Sequence, residues 1–162
     1  MISKNKTITQ LKHLLLSLLL PAAITTAIPS QAQTCTNKLP RQLRIASYNI
    51  QHGVGMDQKL DYKRIAGVLE NINPDVVAVQ EVDSMTRRTN NTYSLGEIAD
   101  HMRYHASYAP AISFDGGKYG IGILSRKRPI RTEQHALPGR EEARTLLVAE
   151  FDDYVFAATH LS

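Results

Sequence analysis

The sequence predicts an α/β (α+β) domain built on a mixed, antiparallel-rich sheet with helices on one face. Three observations carry this. Residues 74–81 (PDVVAVQE) form an apolar, β-branched run after a Pro-Asp start, the pattern of a strand buried on both faces. Residues 145–151 (TLLVAEF) and 154–160 (YVFAATH) flank Asp152-Asp153, two turn-tolerant residues, and so predict an antiparallel hairpin. Two further stretches space their apolar residues as helices do, which adds a covering layer to the sheet.

The first 32 of the 162 residues read as a secretory signal peptide and not as fold. Lys4, Lys6 and Lys12 make a positive start, residues 14–20 an apolar core, and Ser30-Gln31-Ala32 a cleavage site with small residues at the key positions. The apolar core is too short and too close to Pro21 for a membrane span, so an exported, periplasmic or extracellular protein is expected. The whole chain carries 19 Lys and Arg against 15 Asp and Glu; without the three signal lysines it carries 16 against 15, a net +1. A nearly neutral mature chain makes no whole-chain case for nucleic-acid binding, which needs a basic face. One local basic cluster, Arg126, Lys127, Arg128 and Arg131, could meet phosphate, although such runs are usually solvated loop charge. Cys35 is the only cysteine, which excludes an internal disulfide framework; it reads as a free thiol on a loose lead-in, residues 33–42.

The domain then runs over residues 43–162. Residues 43–50 (LRIASYNI) alternate well enough for a first strand, with Asn49 near its end. A loop with Gly53 and Gly55 follows, and Asp61 can cap a helix whose Ile65, Val68 and Leu69 share a face. That helix must stop before Asn73-Pro74. After the strand ending at Glu81, residues 83–93 are polar and predict a loop. Ser94-Leu95-Gly96-Glu97 has capping-box spacing and opens a short helix through Ile98 and Met102. Residues 104–109 are a weak strand, Asp115-Gly116-Gly117 a turn, and residues 119–125 (YGIGILS) a strand whose glycines imply a bulge or a close neighbour. Residues 130–137 are a further strand before the hairpin.

Asn49, Glu81 and His160 thus stand at predicted strand ends. Taken singly, each has an ordinary reading: a strand-terminating Asn, the first solvated residue after a core strand, and a solvated hairpin end. Arg144 alone is a strand-flanking surface charge.

Together, SYNIQHG around Asn49, DVVAVQEV around Glu81, YGIGILS after Gly117, and the stretch from Arg144 to the closing ATHLS resemble the endonuclease/exonuclease/phosphatase family. The resemblance implies the first half of a four-layer, two-sheet sandwich and a metal-dependent phosphoesterase acting on nucleic acid, a phospholipid headgroup or a sugar phosphate. It implies Glu81 as the ligand of Mg2+ or Mn2+, Asn49 beside that metal, and His160 on the scissile phosphate. Arg144 is implied as a further phosphate contact and Tyr119 as an aromatic at the strand entry. Residues 43–162 contain neither the family's Gly-Asp-x-Asn block nor its Ser-Asp-His block. The expectation is therefore an N-terminal portion, inactive by itself, with one sheet face uncovered and a tendency to aggregate; the alternative is a non-catalytic remnant or phosphate-binding interaction module.

Overall fold

The computed structural model describes residues 42–139 and 142–161. The signal-like segment, Cys35 and nearly all of the lead-in lie outside the described residues. The described residues form seven strands and two α-helices: β1 (Ile45–Asn49), α1 (Tyr62–Ile72), β2 (Val76–Ser84), α2 (Ser94–Met102), β3 (His105–Phe114), β4 (Gly117–Ser125), β5 (Arg131–Leu137), β6 (Arg144–Glu150) and β7 (Val155–Thr159). They form a four-stranded mixed sheet in the order β1-β2-β4-β3 and a three-stranded antiparallel sheet in the order β5-β6-β7. The predicted fold class holds, and its organising strand is β2, which pairs parallel with β1 and antiparallel with β4.

Strand β2 is buried on both faces because it separates two cores. Val77 and Val79 face the helices with Ile65, Leu69, Leu95 and Ile98. Val76 and Ala78 face the opposite way, with Ile121 and Ile123, against Leu147, Ala149, Phe151 and Ala158 of the hairpin region. Each fully buried Val, Leu or Ile contributes about 1.5–3 kcal/mol of transfer free energy. The three-stranded sheet therefore covers the face of the first sheet that was expected to lie open. The hairpin's alternation explains this: Thr145, Leu147 and Ala149 point inward from β6.

Helix α1 begins where Asp61 accepts a hydrogen bond from the Arg64 N–H at 2.9 Å. It ends at Asn73, whose left-handed conformation (φ 52°, ψ 53°) breaks the helix ahead of Pro74. Its buried face is Ile65, Ala66 and Leu69; Val68, expected among them, is 41% exposed because it sits about 100° of helical arc from the centre of that face. Helix α2 starts at Ser94 without the expected capping box. The Ser94 hydroxyl is buried and shares a 2.8 Å hydrogen bond with the Tyr62 hydroxyl, tying the two helices together.

The glycines of β4 mark close approach. A Cβ on Gly120 would lie 2.2 Å from the Ala109 carbonyl oxygen, and one on Gly122 would lie 2.4 Å from a Leu95 methyl carbon. The turn before them, Asp115-Gly116, has two positive φ values (45° and 83°), as a tight hairpin of this twist requires.

Candidate active site

Strand β2 does not end at Glu81, as its apolar run implied. It continues to Ser84, and the register explains how an acid sits inside it. Val79 pairs with Gly122 and Val82 with Gly120, so Gln80 and Glu81 together oppose Ile121. This is a β-bulge, one extra residue in β2, and Glu81 takes φ 60° within it. Because side chains alternate, the extra residue returns Val82 to the helix-facing core beside Val77 and Val79. Without it, Glu81 would point into that core. The bulge instead leaves Glu81 partly exposed at the sheet end.

Asn49, at the end of β1 and adjacent to Gln80 in register, holds the acid in place. Its Nδ2 donates to Glu81 Oε1 at 2.6 Å, while its Oδ1 accepts the Gln51 N–H at 3.0 Å. The amide is thereby oriented at both ends, and one carboxylate oxygen is fixed. Glu81 lies on a cavity of about 310 Å3 lined also by Tyr119, His52, Arg88, Ile112 and Phe114. Burial and the nearby Glu81 and Glu142 carboxylates push the Tyr119 phenol up to about 12, so it stays protonated well above neutrality. Burial and the Arg88 guanidinium hold the His52 imidazole below its usual range.

Arg144 heads β6 and pairs with Glu142 at 2.8 Å, with its side chain only 15% exposed. Glu142 lines the same cavity as Glu81 and Tyr119, which puts Arg144 beside the site. His160 follows β7 directly, next to the Thr159 hydroxyl that donates to the Thr145 carbonyl at 3.0 Å. Among the described residues, no hydrogen bond or ion pair joins His160 to Asn49, Glu81 or Tyr119. The structure thus brings Asn49, Glu81, Tyr119 and Arg144 to one end of the sheets, with His160 at the exit of the neighbouring strand.

Two site residues, His52 and Arg88, escaped the sequence reading. His52 belongs to the quoted SYNIQHG stretch, in a 3-10 turn (Gln51–Gly53) where it takes φ 47°. Arg88 lay in the predicted loop over residues 83–93, which is instead structured. Asp83 is fully buried in β2, Thr86 and Thr89 are fully buried, and Arg87–Thr89 form a 3-10 turn. The signal available was an acid directly after a buried run with an arginine five residues on, since a buried acid needs a partner.

The basic cluster is not part of this site. Arg126 bonds to Asn73 and Pro74, Lys127 meets Asp153 at 3.5 Å, and Arg131 meets Glu150 at 2.9 Å. A larger depression of about 640 Å3 around Arg44, Asn73, Asp75 and Arg126 lies at the opposite end of β1 and β2. Its polar groups bond one another, as in the Arg44 N–H to Asp75 contact at 3.0 Å, and so hold α1 to the sheet.

Among the described residues, no group of three or more His, Cys, Asp or Glu converges as a metal cage. The donors that do exist suit a hard divalent ion. Mg2+ is commonly held by one or two carboxylates with several waters and a substrate phosphate, and Glu81, oriented by Asn49, is a residue that could supply one such oxygen ligand. A closed four-ligand zinc site has no counterpart among the described residues.

A sequence profile described as the Endonuclease/Exonuclease/phosphatase family matches residues 46–159. The chain belongs to that family. Its fold is similar to the endonuclease/exonuclease/phosphatase from Beutenbergia cavernae DSM 12333, with a TM-score of 0.62 and 24% identity over 74% of this chain and 38% of that one. A family protein from Leptotrichia buccalis C-1013-b superposes with a TM-score of 0.60 at 13% identity, over 75% of this chain and 55% of its own. For TDP2 from Caenorhabditis elegans the TM-score is 0.54 at 24% identity, over 74% of this chain and 35% of that one. The match therefore spans 35–55% of the length of these three proteins. No curated protein sequence matches significantly. Among the described residues, no helix is long and apolar enough to cross a membrane.

Proposed function

We propose that these residues form the metal-binding half of a Mg2+- or Mn2+-dependent phosphoesterase site. The observation that carries the proposal is Glu81: an acid lifted out of a buried strand by a bulge, fixed by Asn49 at 2.6 Å, at the mouth of a cavity that also holds a protonated phenol. Glu81 would hold a divalent ion, which would supply charge neutralisation at the phosphate oxygens. The chain's own residues do the rest. Asn49 is a positioning residue that acts through Glu81. Tyr119 keeps its proton and donates a hydrogen bond, and Arg144 and His160 offer charged or neutral N–H donors to phosphate oxygens. Substrates of this reading are phosphate esters: a nucleic acid, a phospholipid headgroup or a sugar phosphate. The signal-like leader supports action outside the cytoplasm.

The 162 residues contain no Gly-Asp-x-Asn or Ser-Asp-His block, so the chain assayed by itself is proposed to bind metal without appreciable turnover. The test is Mn2+ binding followed by paramagnetic broadening of amide resonances. Broadening should centre on residues 49–52 and 81 and should vanish in Glu81→Gln; broadening that is unchanged in a folded Glu81→Gln chain sinks the proposal. Release of 4-nitrophenolate from bis(4-nitrophenyl) phosphate, abolished by Glu81→Gln, would refute the inactivity and leave the site standing.

A further inference from the structure

Arg88 has no assigned part in this site, and its surroundings give it one. Asp83, one turn of the pleat beyond Glu81, is fully buried and binds Arg88 in a fork: Nε to Oδ2 at 2.6 Å and Nη2 to Oδ1 at 2.7 Å. The Thr86 hydroxyl donates to the same Oδ2 at 2.6 Å, and Thr86 shares a 2.8 Å hydrogen bond with Thr89. These contacts fix the carboxylate, and the carboxylate fixes the guanidinium. Phe114 fixes it again from the side, with the guanidinium carbon 4.4 Å from the ring centroid and 5.6 Å from that of Tyr119.

A guanidinium carries five N–H donors in a rigid fork. Asp83 takes two, which leaves three, and among the described residues none of those three has a hydrogen-bond acceptor. The side chain is 32% exposed and lines the same cavity as Glu81 and Tyr119. A surface arginine would spend rotamer entropy to reach a ligand; this one is already immobilised on the cavity, with three donors that no other described residue accepts. Neighbouring Arg87 makes the contrast, since it pairs with Asp115 at 77% side-chain exposure and does not line the cavity.

We propose that Arg88 is an anion-binding residue of this pocket, a preorganised cation that hydrogen-bonds a non-bridging oxygen of the phosphate placed beside Glu81. This deepens the phosphoesterase reading and rests on it. The site then presents a metal carboxylate and a fixed guanidinium across one cavity, and Asp83 is the residue that positions the guanidinium.

The experiment uses the full 162-residue chain, inorganic phosphate and excess Mg2+, with the arginine Nε–H resonances read by NMR. The Arg88 resonance, assigned by its loss in Arg88→Lys, should shift on phosphate addition in the unsubstituted protein. Arg88→Lys keeps the charge but loses the fork, and should weaken phosphate binding about tenfold or more. Mn2+ broadening at Glu81 should persist in Arg88→Lys, which separates this inference from the metal site. An Arg88 resonance that does not move while phosphate binds, or phosphate affinity within twofold of the parent in a folded Arg88→Lys chain, overturns the inference and leaves the metal site intact. Absence of any phosphate binding with Mg2+ bound also overturns it. Should Arg88→Lys fail to fold, the Nε–H resonance is assigned by through-bond correlation to the Arg88 backbone, and its shift in the unsubstituted chain decides alone.

Discussion

Replacing Glu81 by glycine separates what the residue does for the fold from what it does for the site. Glu81 holds φ 60°, a conformation that costs an L-residue with a side chain about 1–2 kcal/mol and glycine almost nothing. Against that relief stand the loss of the Asn49 hydrogen bond, about 1 kcal/mol at an exposed position, and the extra freedom of glycine in the unfolded chain, about 0.4–1 kcal/mol. Glu81→Gly should therefore change stability by no more than about 1 kcal/mol in either direction. By comparison, trimming the adjacent Val82, which is fully buried, to alanine should cost about 2–3 kcal/mol. The metal response should behave differently. At a Mg2+ concentration ten times Kd, binding to the folded state adds RT ln 11, about 1.4 kcal/mol, to the parent protein. For a domain of this size that is a rise of about 5 °C in Tm. The assay is thermal unfolding by circular dichroism with and without MgCl2. The parent should gain those degrees and Glu81→Gly should gain none while unfolding near the parent temperature in the absence of metal. A loss above about 2 kcal/mol in Glu81→Gly would make Glu81 a structural residue, and equal Mg2+ stabilisation of both proteins would place the ion elsewhere.

Other expectations follow from particular contacts. Gly120→Ala puts a carbon 2.2 Å from the Ala109 carbonyl, a backbone atom that cannot yield without breaking the β3-β4 pairing. It should cost more than Gly122→Ala, whose obstacle is a Leu95 side chain; the midpoints of urea unfolding rank the two. Tyr119 binds its proton more tightly folded than unfolded, so the folded state is favoured most below pH 10, and stability should fall as pH rises from about 10 to about 12. Absorbance at 295 nm should show one phenol titrating near 12 that is missing in Tyr119→Phe, and the fall in urea midpoint over that window should shrink with it. Asp61→Ala removes the cap on α1 and should lower stability by about 1 kcal/mol, measured by urea unfolding.

The order of elements was legible in the sequence because local chemistry decides it. Three β-branched valines after Pro74-Asp75, the cap at Asp61, the stop at Asn73-Pro74 and the turn residues Asp152-Asp153 act within a few positions of themselves, and the start of β2, α1 and the β6-β7 hairpin fall where they predict. Asn49 and Glu81 stood out through their blocks, but their 32-residue separation shows no hydrogen bond in one dimension. Tertiary structure decided the rest. Whether β2 ends or bulges at Glu81 depends on its pairing with β4, because only the partner's register can absorb an extra residue. Whether Asp83 is a loop acid or a buried anchor depends on Arg88, and the place of Arg88 depends on Phe114 arriving from β3. The sheet face expected to lie open is covered by the β6-β7 region through Leu147, Ala149, Phe151 and Ala158, and the alternation of that hairpin does not say which surface it packs on, since burial in a layer is set by what packs above a residue and not by the residue alone.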